Sequence, residues 1–366
     1  MKRLLVFIGI FYSITVLSQH TVYSEAFFPN VPSSLVIVDN ELYAAMLAGD
    51  ASVQKINFSD PTTATLVSDF PDIGVWKMAY HQPTNSLYLY SLHNGSLNKI
   101  DLNATLPITF EEIVAIPFGS QGVVFRGDML YIASRYEILS LDVTQGASSL
   151  SVYYSDPNTD LELRSPAIYG NDLYFGQKIV NDPNNSIAKI PLNSGNPTKT
   201  LVSDLTGIEG GIQSSLVVQN FLYLGFEATG PDLILKVDLD AIVPTAYETL
   251  INDIPGGPLG LEYRNGVFYA SEGSNFSIVS FTDPNLSVDS FEVNKFDIYP
   301  IPAKDKLYLS ASNQIDKFSI YSIDGKLLYE GDYTETGINV SGLDPGTYTL
   351  QIISGAQRQS KKFIKN

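Results

Sequence analysis

The chain has 366 residues, 44% of them hydrophobic, with 22 tyrosines and 19 phenylalanines, which is ample material for a packed core in one or two domains. There is no cysteine, so disulfides, thiolate metal sites and cysteine nucleophiles are excluded, and the three histidines, His20, His81 and His93, are too scattered for a histidine metal cluster. The formal charge of −17 is unevenly placed: residues 296–366 carry eight basic and eight acidic side chains, whereas residues 19–295 carry 12 basic and 31 acidic ones. A surface of that sign repels phosphate backbones and anionic headgroups and attracts cations, so neither nucleic acid nor a membrane surface is an expected partner.

Met1-Lys2-Arg3 precedes an apolar run of 14 residues from Leu4 to Leu17. The run is shorter than the roughly 20 residues that span a bilayer, and a small residue, Ser18, stands before a plausible cleavage point. Residues 1–18 therefore read as a secretory signal peptide, with no transmembrane span expected in the mature chain. Residues 19–32 are an N-terminal segment without a repeat assignment.

From there a Leu-Tyr pair recurs as Leu42-Tyr43, Leu87-Tyr88, Leu130-Tyr131, Leu173-Tyr174, Leu222-Tyr223 and, in a variant, Phe268-Tyr269, with tyrosines 45, 43, 43, 49 and 46 residues apart. A period of that length built from short apolar runs is the signature of propeller blades. Four strand-like runs can be laid out per repeat: one such as Leu35-Val36-Ile37, the Leu-Tyr run, one such as Leu97 to Asp101, and one such as Leu201 to Asp204. The spacing predicts an all-β fold, a six-bladed β-propeller over residues 33–293. Adjacent residues of a strand point to opposite sheet faces, and both faces of a blade are covered, so the tyrosine row is expected in the core and not on a binding surface. Turn signals such as Asn94-Gly95 and Asn265-Gly266 suit hairpins. Asp60-Pro61, Asp156-Pro157, Asp182-Pro183 and Asp283-Pro284 read as ordinary turns, since none has the spacing of an EF-hand loop.

The repeat resembles the six-bladed propellers of the gluconolactonase-like and NHL-repeat superfamily, most plainly over residues 257–281. In the lactonases of that superfamily the resemblance implies a divalent metal held in the central channel by Glu, Asn and Asp, a set that no motif places here. The last stretch runs from Phe296 through Pro300 and Pro302, then Asp324-Gly325, then Gly346 and Tyr348, and closes on Lys362 and Lys365. Strand, Asp-Gly turn, strand, Pro-Gly turn, strand is a small β-sandwich by pattern, expected to be Ig-like. Residues 296–366 resemble the C-terminal sorting domain of type IX secretion in bacteria of the Bacteroidota phylum, with Ile301 where that family usually has Asn. The resemblance implies export to the outer-membrane surface or the extracellular space, with the secretion machinery as a partner.

Function is expected where the repeat breaks. Loops entering the first strand of each blade contribute Asp72, Trp76, Gln121, Arg164, Glu209, Gln213 and, further along, Glu262; loops leaving the second strand add Asp50, His93, Arg135, Lys178, Glu227 and Glu272. Trp76 also reads as packing, and His93 as a turn residue. Glu209 stands beside two glycines, which lets backbone approach a ligand. Asp72, Glu209 and Glu272, from different blades, could converge on Ca²⁺ or another divalent cation through oxygen ligands. Two functions are therefore carried forward: a module binding a small molecule, glycan or protein on the propeller face, and a metal-dependent hydrolase of lactones or related esters with its site in the central channel.

Overall fold

Leu42 and Tyr43 are neighbours in sequence but pack into different interfaces. Leu42 joins Tyr269 and Ile278, while Tyr43 joins Met78, Leu87 and Leu89. The computed structural model describes residues 20–24, 30–47, 51–70, 74–92, 94–179, 182, 184–227, 232–286, 297–310, 317–322, 326–333, 337–354 and 357–366. Residues 1–18, Asp50, Asp72, His93, Asp324 and Gly325 lie outside them.

Six four-stranded antiparallel sheets follow one another along the chain. Their innermost strands are Pro32–Val38, Val75–His81, Gly122–Arg126, Leu161–Tyr169, Gly211–Val218 and Leu261–Arg264. Each lies against its counterparts in the two adjacent blades, and the sixth lies against the first, so the ring closes on itself. This is a six-bladed β-propeller.

The ladder explains how the ring holds together. Leu87 packs toward the first blade and Tyr88 toward the third; Leu130 and Tyr131, then Leu173 and Tyr174, repeat the pattern. Leucine faces the previous blade and tyrosine the next, as strand alternation requires. All six tyrosines are buried, at 7% exposure or less. At about 1.5–3 kcal/mol for each large side chain buried, this seam stabilises a ring that has no disulfide.

The sixth blade is built from two parts of the chain. Leu261–Arg264, Val267–Glu272 and Ser277–Phe281 supply three strands, and the fourth is His20–Ser24, from the segment that the repeat pattern leaves outside the propeller. His20 pairs with Phe281, Thr21 with Ser280 and Val22 with Val279. Closing the ring with the N-terminal strand ties together residues some 260 positions apart, and it also covers the edge that the last blade would otherwise expose.

The Asp-Pro turns serve two purposes. Asp60 is exposed and accepts from the backbone and hydroxyl of Thr62, a local turn. Asp156 and Asp283 are buried. Asp156 takes hydrogen bonds from Tyr154 and Lys199, and Asp283 takes them from Tyr223 and pairs with Lys236 at 2.6 Å.

The chain divides after Asp283 into a second unit, Pro284 to Asn366. It holds a three-stranded sheet of Asp297–Tyr299, Lys306–Ser310 and Ile338–Asn339, and a four-stranded sheet of Leu327–Asp332, Lys317–Ser322, Gly346–Ser354 and Gln357–Lys365. Ile298, Leu307 and Ile338 from the first sheet share one core with Ile320, Leu350, Ile352 and Phe363 from the second.

Candidate functional site

The six innermost strands enclose a central cavity of about 520 Å³. Its walls can be read in layers, because each inner strand is registered on its own ladder tyrosine. Val36, Ala79, Val124, Ala167, Leu216 and Glu262 stand opposite Tyr43, Tyr88, Tyr131, Tyr174, Tyr223 and Tyr269. Five apolar residues and one carboxyl therefore form a ring at one level. Two residues closer to the loops that enter the inner strands, about 7 Å along, the same register gives Ser34, Lys77, Gly122, Arg164, Ser214 and Gly260.

Lys77 dominates that second layer. Small residues in four of the other five blades leave room for its side chain, which crosses the ring. Its Nζ donates to the carbonyls of Gln213 at 2.6 Å, Leu259 at 2.7 Å and Ser33 at 3.3 Å, from the fifth blade, the segment leading into the sixth, and the first. Nζ also lies 4.6 Å from the centre of the Trp76 ring. Burial pushes the Lys77 amine down to about 7, helped by the neighbouring Arg164 guanidinium and opposed by Glu227.

Around it the rim is polar and paired. Arg164 grips Glu162 through Nε at 3.0 Å and a terminal nitrogen at 2.5 Å. Gln213 Nε2 donates to Glu227 at 2.7 Å. Trp76, Arg164 and Gln213 are thus brought together around Lys77, a residue that the loop reading did not select. Gln121 acts through its backbone, accepting from Ser165 N and donating to Ala133 O.

Of the three carboxylates expected to converge, Asp72 lies outside the described residues. Glu209 is exposed on the loop before Gly211. Glu272 is buried, and its oxygens accept from Asn275 and Ser277 within its own hairpin, so the carboxylate caps a turn. Among the described residues no three His, Asp or Glu side chains are grouped so as to hold a metal ion. Where the resemblance to lactonases implies a channel metal set by Glu, Asn and Asp, the loop end of this channel carries Lys77 and Arg164 instead.

Glu262 is the carboxyl that the cavity does contain. It lines the cavity, where it is half-buried, and withdrawal from bulk water pushes it up to about 8, offset in part by the backbone N–H of Tyr263. A second polar feature is Ser165, at the bulge of its strand with φ +46°. It lines the same cavity, and its buried Oγ has no hydrogen-bond partner. His81, by contrast, is fully buried between Thr84 and Asp128 and serves packing.

In the C-terminal unit, Pro300 and Pro302 are exposed beside the strand Asp297–Tyr299, and Gly346 pairs with Lys365 in the sheet, as Tyr348 does with Phe363. The Tyr348 hydroxyl donates to Asp344 O, Lys362 is exposed, and Lys365 is buried.

Residues 297–366 match the family model described as the secretion system C-terminal sorting domain. This unit is a type IX secretion sorting domain. The sorting domain directs the chain to the cell surface or the extracellular space and engages the secretion machinery. No helix among the described residues is long and apolar enough to cross a membrane. No curated protein matches the chain. Solved structures similar to it include a chain of a nidogen/laminin complex, at 12% identity and TM-score 0.52, covering 66% of this chain and 88% of that one. The WD40 β-propeller domain of Doa1 aligns at 10% identity and TM-score 0.51, covering 74% and 99%. Virginiamycin B lyase from Staphylococcus aureus aligns at 12% identity and TM-score 0.50, covering 72% and 98%. At these identities the likeness is one of fold.

Proposed function

We propose that this exported propeller is a binding protein whose site is the central cavity, and that it is not a metal-dependent hydrolase. The carrying observation is the cavity itself: about 520 Å³, bounded by all six inner strands, with polar and apolar groups sharing its surface almost equally. Its size and its place on the propeller axis suit a small ligand. A lactone hydrolase would need a Lewis acid or a nucleophile with its base; at the loop end Lys77 is committed to three carbonyls and Arg164 to Glu162. In this reading residues 1–18 are a leader cleaved at the inner membrane of a bacterium of the Bacteroidota phylum, and the sorting domain then carries the propeller outward.

The test is direct. After chelation, Ca²⁺ should leave the Tm of the full chain unchanged, a lactone panel should show no turnover, and small molecules of pocket size should raise the Tm. Lactone turnover that a chelator abolishes and Ca²⁺ restores would overturn the reading.

A further inference from the structure

The ring around Glu262 poses a question of chemistry. Five of its six positions are Val36, Ala79, Val124, Ala167 and Leu216, and a carboxyl at the sixth gains nothing from such neighbours. Burying a carboxyl is costly unless a hydrogen bond or an opposite charge offsets it. Among the described residues Glu262 makes no ion pair, and its carboxyl is offset only in part, by the backbone N–H of Tyr263. Lys77 is held one layer away by carbonyls, and Arg164 by Glu162. The protein thus supplies no cation at the level where it places its one channel carboxyl.

We propose that the cavity takes a small organic ammonium compound, its cationic head against Glu262 and its hydrocarbon within the apolar ring. This rests on the reading of the channel as a binding site and names the ligand's class. Two observations support it. The carboxyl lines the cavity with no cation beside it, and a cation bound there would favour its ionised form and supply the missing opposite charge. The propeller's net negative charge raises the local concentration of cations. The two cations of the loop-end layer set the orientation: the ammonium head belongs at the Glu262 level and away from Lys77 and Arg164.

The experiment is calorimetric titration of the purified full chain with n-butylammonium chloride, with n-butanol as the uncharged probe and NaCl holding ionic strength constant. Binding of n-butylammonium in the millimolar range is expected, at least tenfold weaker in Glu262→Gln, a nearly isosteric change that removes the charge and keeps the fold. Ala167→Leu, which fills the ring from another blade, should weaken both probes and keeps the test valid if the first variant misfolds. Equal n-butylammonium affinity in wild type and Glu262→Gln overturns the proposal by placing the ligand elsewhere. Binding of n-butanol without n-butylammonium overturns the ammonium class and leaves the channel reading standing. Failure of both probes to bind defeats the two together.

Discussion

Glu262 faces Tyr269 across the register of the sixth blade, at the position where the other five blades set a valine, an alanine or a leucine against the same tyrosine. One substitution in an otherwise regular ring turns a structural seam into a site with a charge to satisfy. The pH dependence follows from its sign. The folded carboxyl titrates near 8 and the unfolded one near 4.5, so the folded state binds the proton more tightly. The stabilisation this gives is complete below about 4.5 and is lost as pH rises toward 8. Glu262→Gln removes that loss, so urea midpoints of variant and wild type should lie closest near pH 4.5 and diverge in the variant's favour up to pH 8. Parallel profiles would contradict the placement of this carboxyl.

Lys77 is predicted to be a structural tie. Lys77→Met leaves the carbonyls of Ser33, Gln213 and Leu259 without their shared donor. A buried group left unsatisfied costs about 1–3 kcal/mol, so the variant should lose at least that much in denaturant unfolding. An unchanged midpoint would show that the ammonium does not hold the blades.

Ring closure depends on five residues. An internal deletion of residues 20–24 strips the sixth blade of its fourth strand and bares the Ser277–Phe281 edge. The Tm should fall by several degrees, and the exposed edge should promote association on size-exclusion chromatography. A deletion variant that keeps its Tm would contradict the closure.

The pair of Lys236 and Asp283, with Tyr223 on the same oxygen, is buried. Asp283→Asn should cost about 3–5 kcal/mol, because a buried ammonium loses its counter-charge. Combining Asp283→Leu with Lys236→Met should recover much of the loss. A double variant as unstable as Asp283→Asn would show that the cost lies in packing and not in the unpaired charge.

Export tests the C-terminal unit separately. A chain lacking residues 297–366, expressed in a bacterium with type IX secretion, should stay inside the outer membrane. Its appearance in the medium at wild-type yield would contradict the assignment of the sorting domain.

The blades were legible because burial on both faces leaves an apolar pair at the same place in each strand, and that pair survives variation in the loops. His20–Ser24 was not legible as a blade strand. Five residues carry no period, and their role exists only through pairing with residues at the far end of the propeller. Lys77 hid for the same reason: in Val75 to Tyr80 it reads as one cation in an apolar run, and its acceptors lie 44, 136 and 182 residues away. Glu262 left a usable signal. It stands seven residues before its ladder tyrosine, as Val36, Val124, Ala167 and Leu216 do before theirs, and comparing those positions shows the exception. Assigning Glu262 to an entering loop obscured it. The opposite holds for Glu272, whose loop position suggested a ligand although a short hairpin gives its carboxylate local donors in Asn275 and Ser277.

The most direct test of the account is a crystal structure of the full chain grown with n-butylammonium. The account predicts density in the channel with the ammonium nitrogen within hydrogen-bonding distance of a Glu262 carboxyl oxygen and the alkyl chain against Ala79, Val124 and Ala167. A clear channel, with the probe bound only on the outer surface, would contradict it.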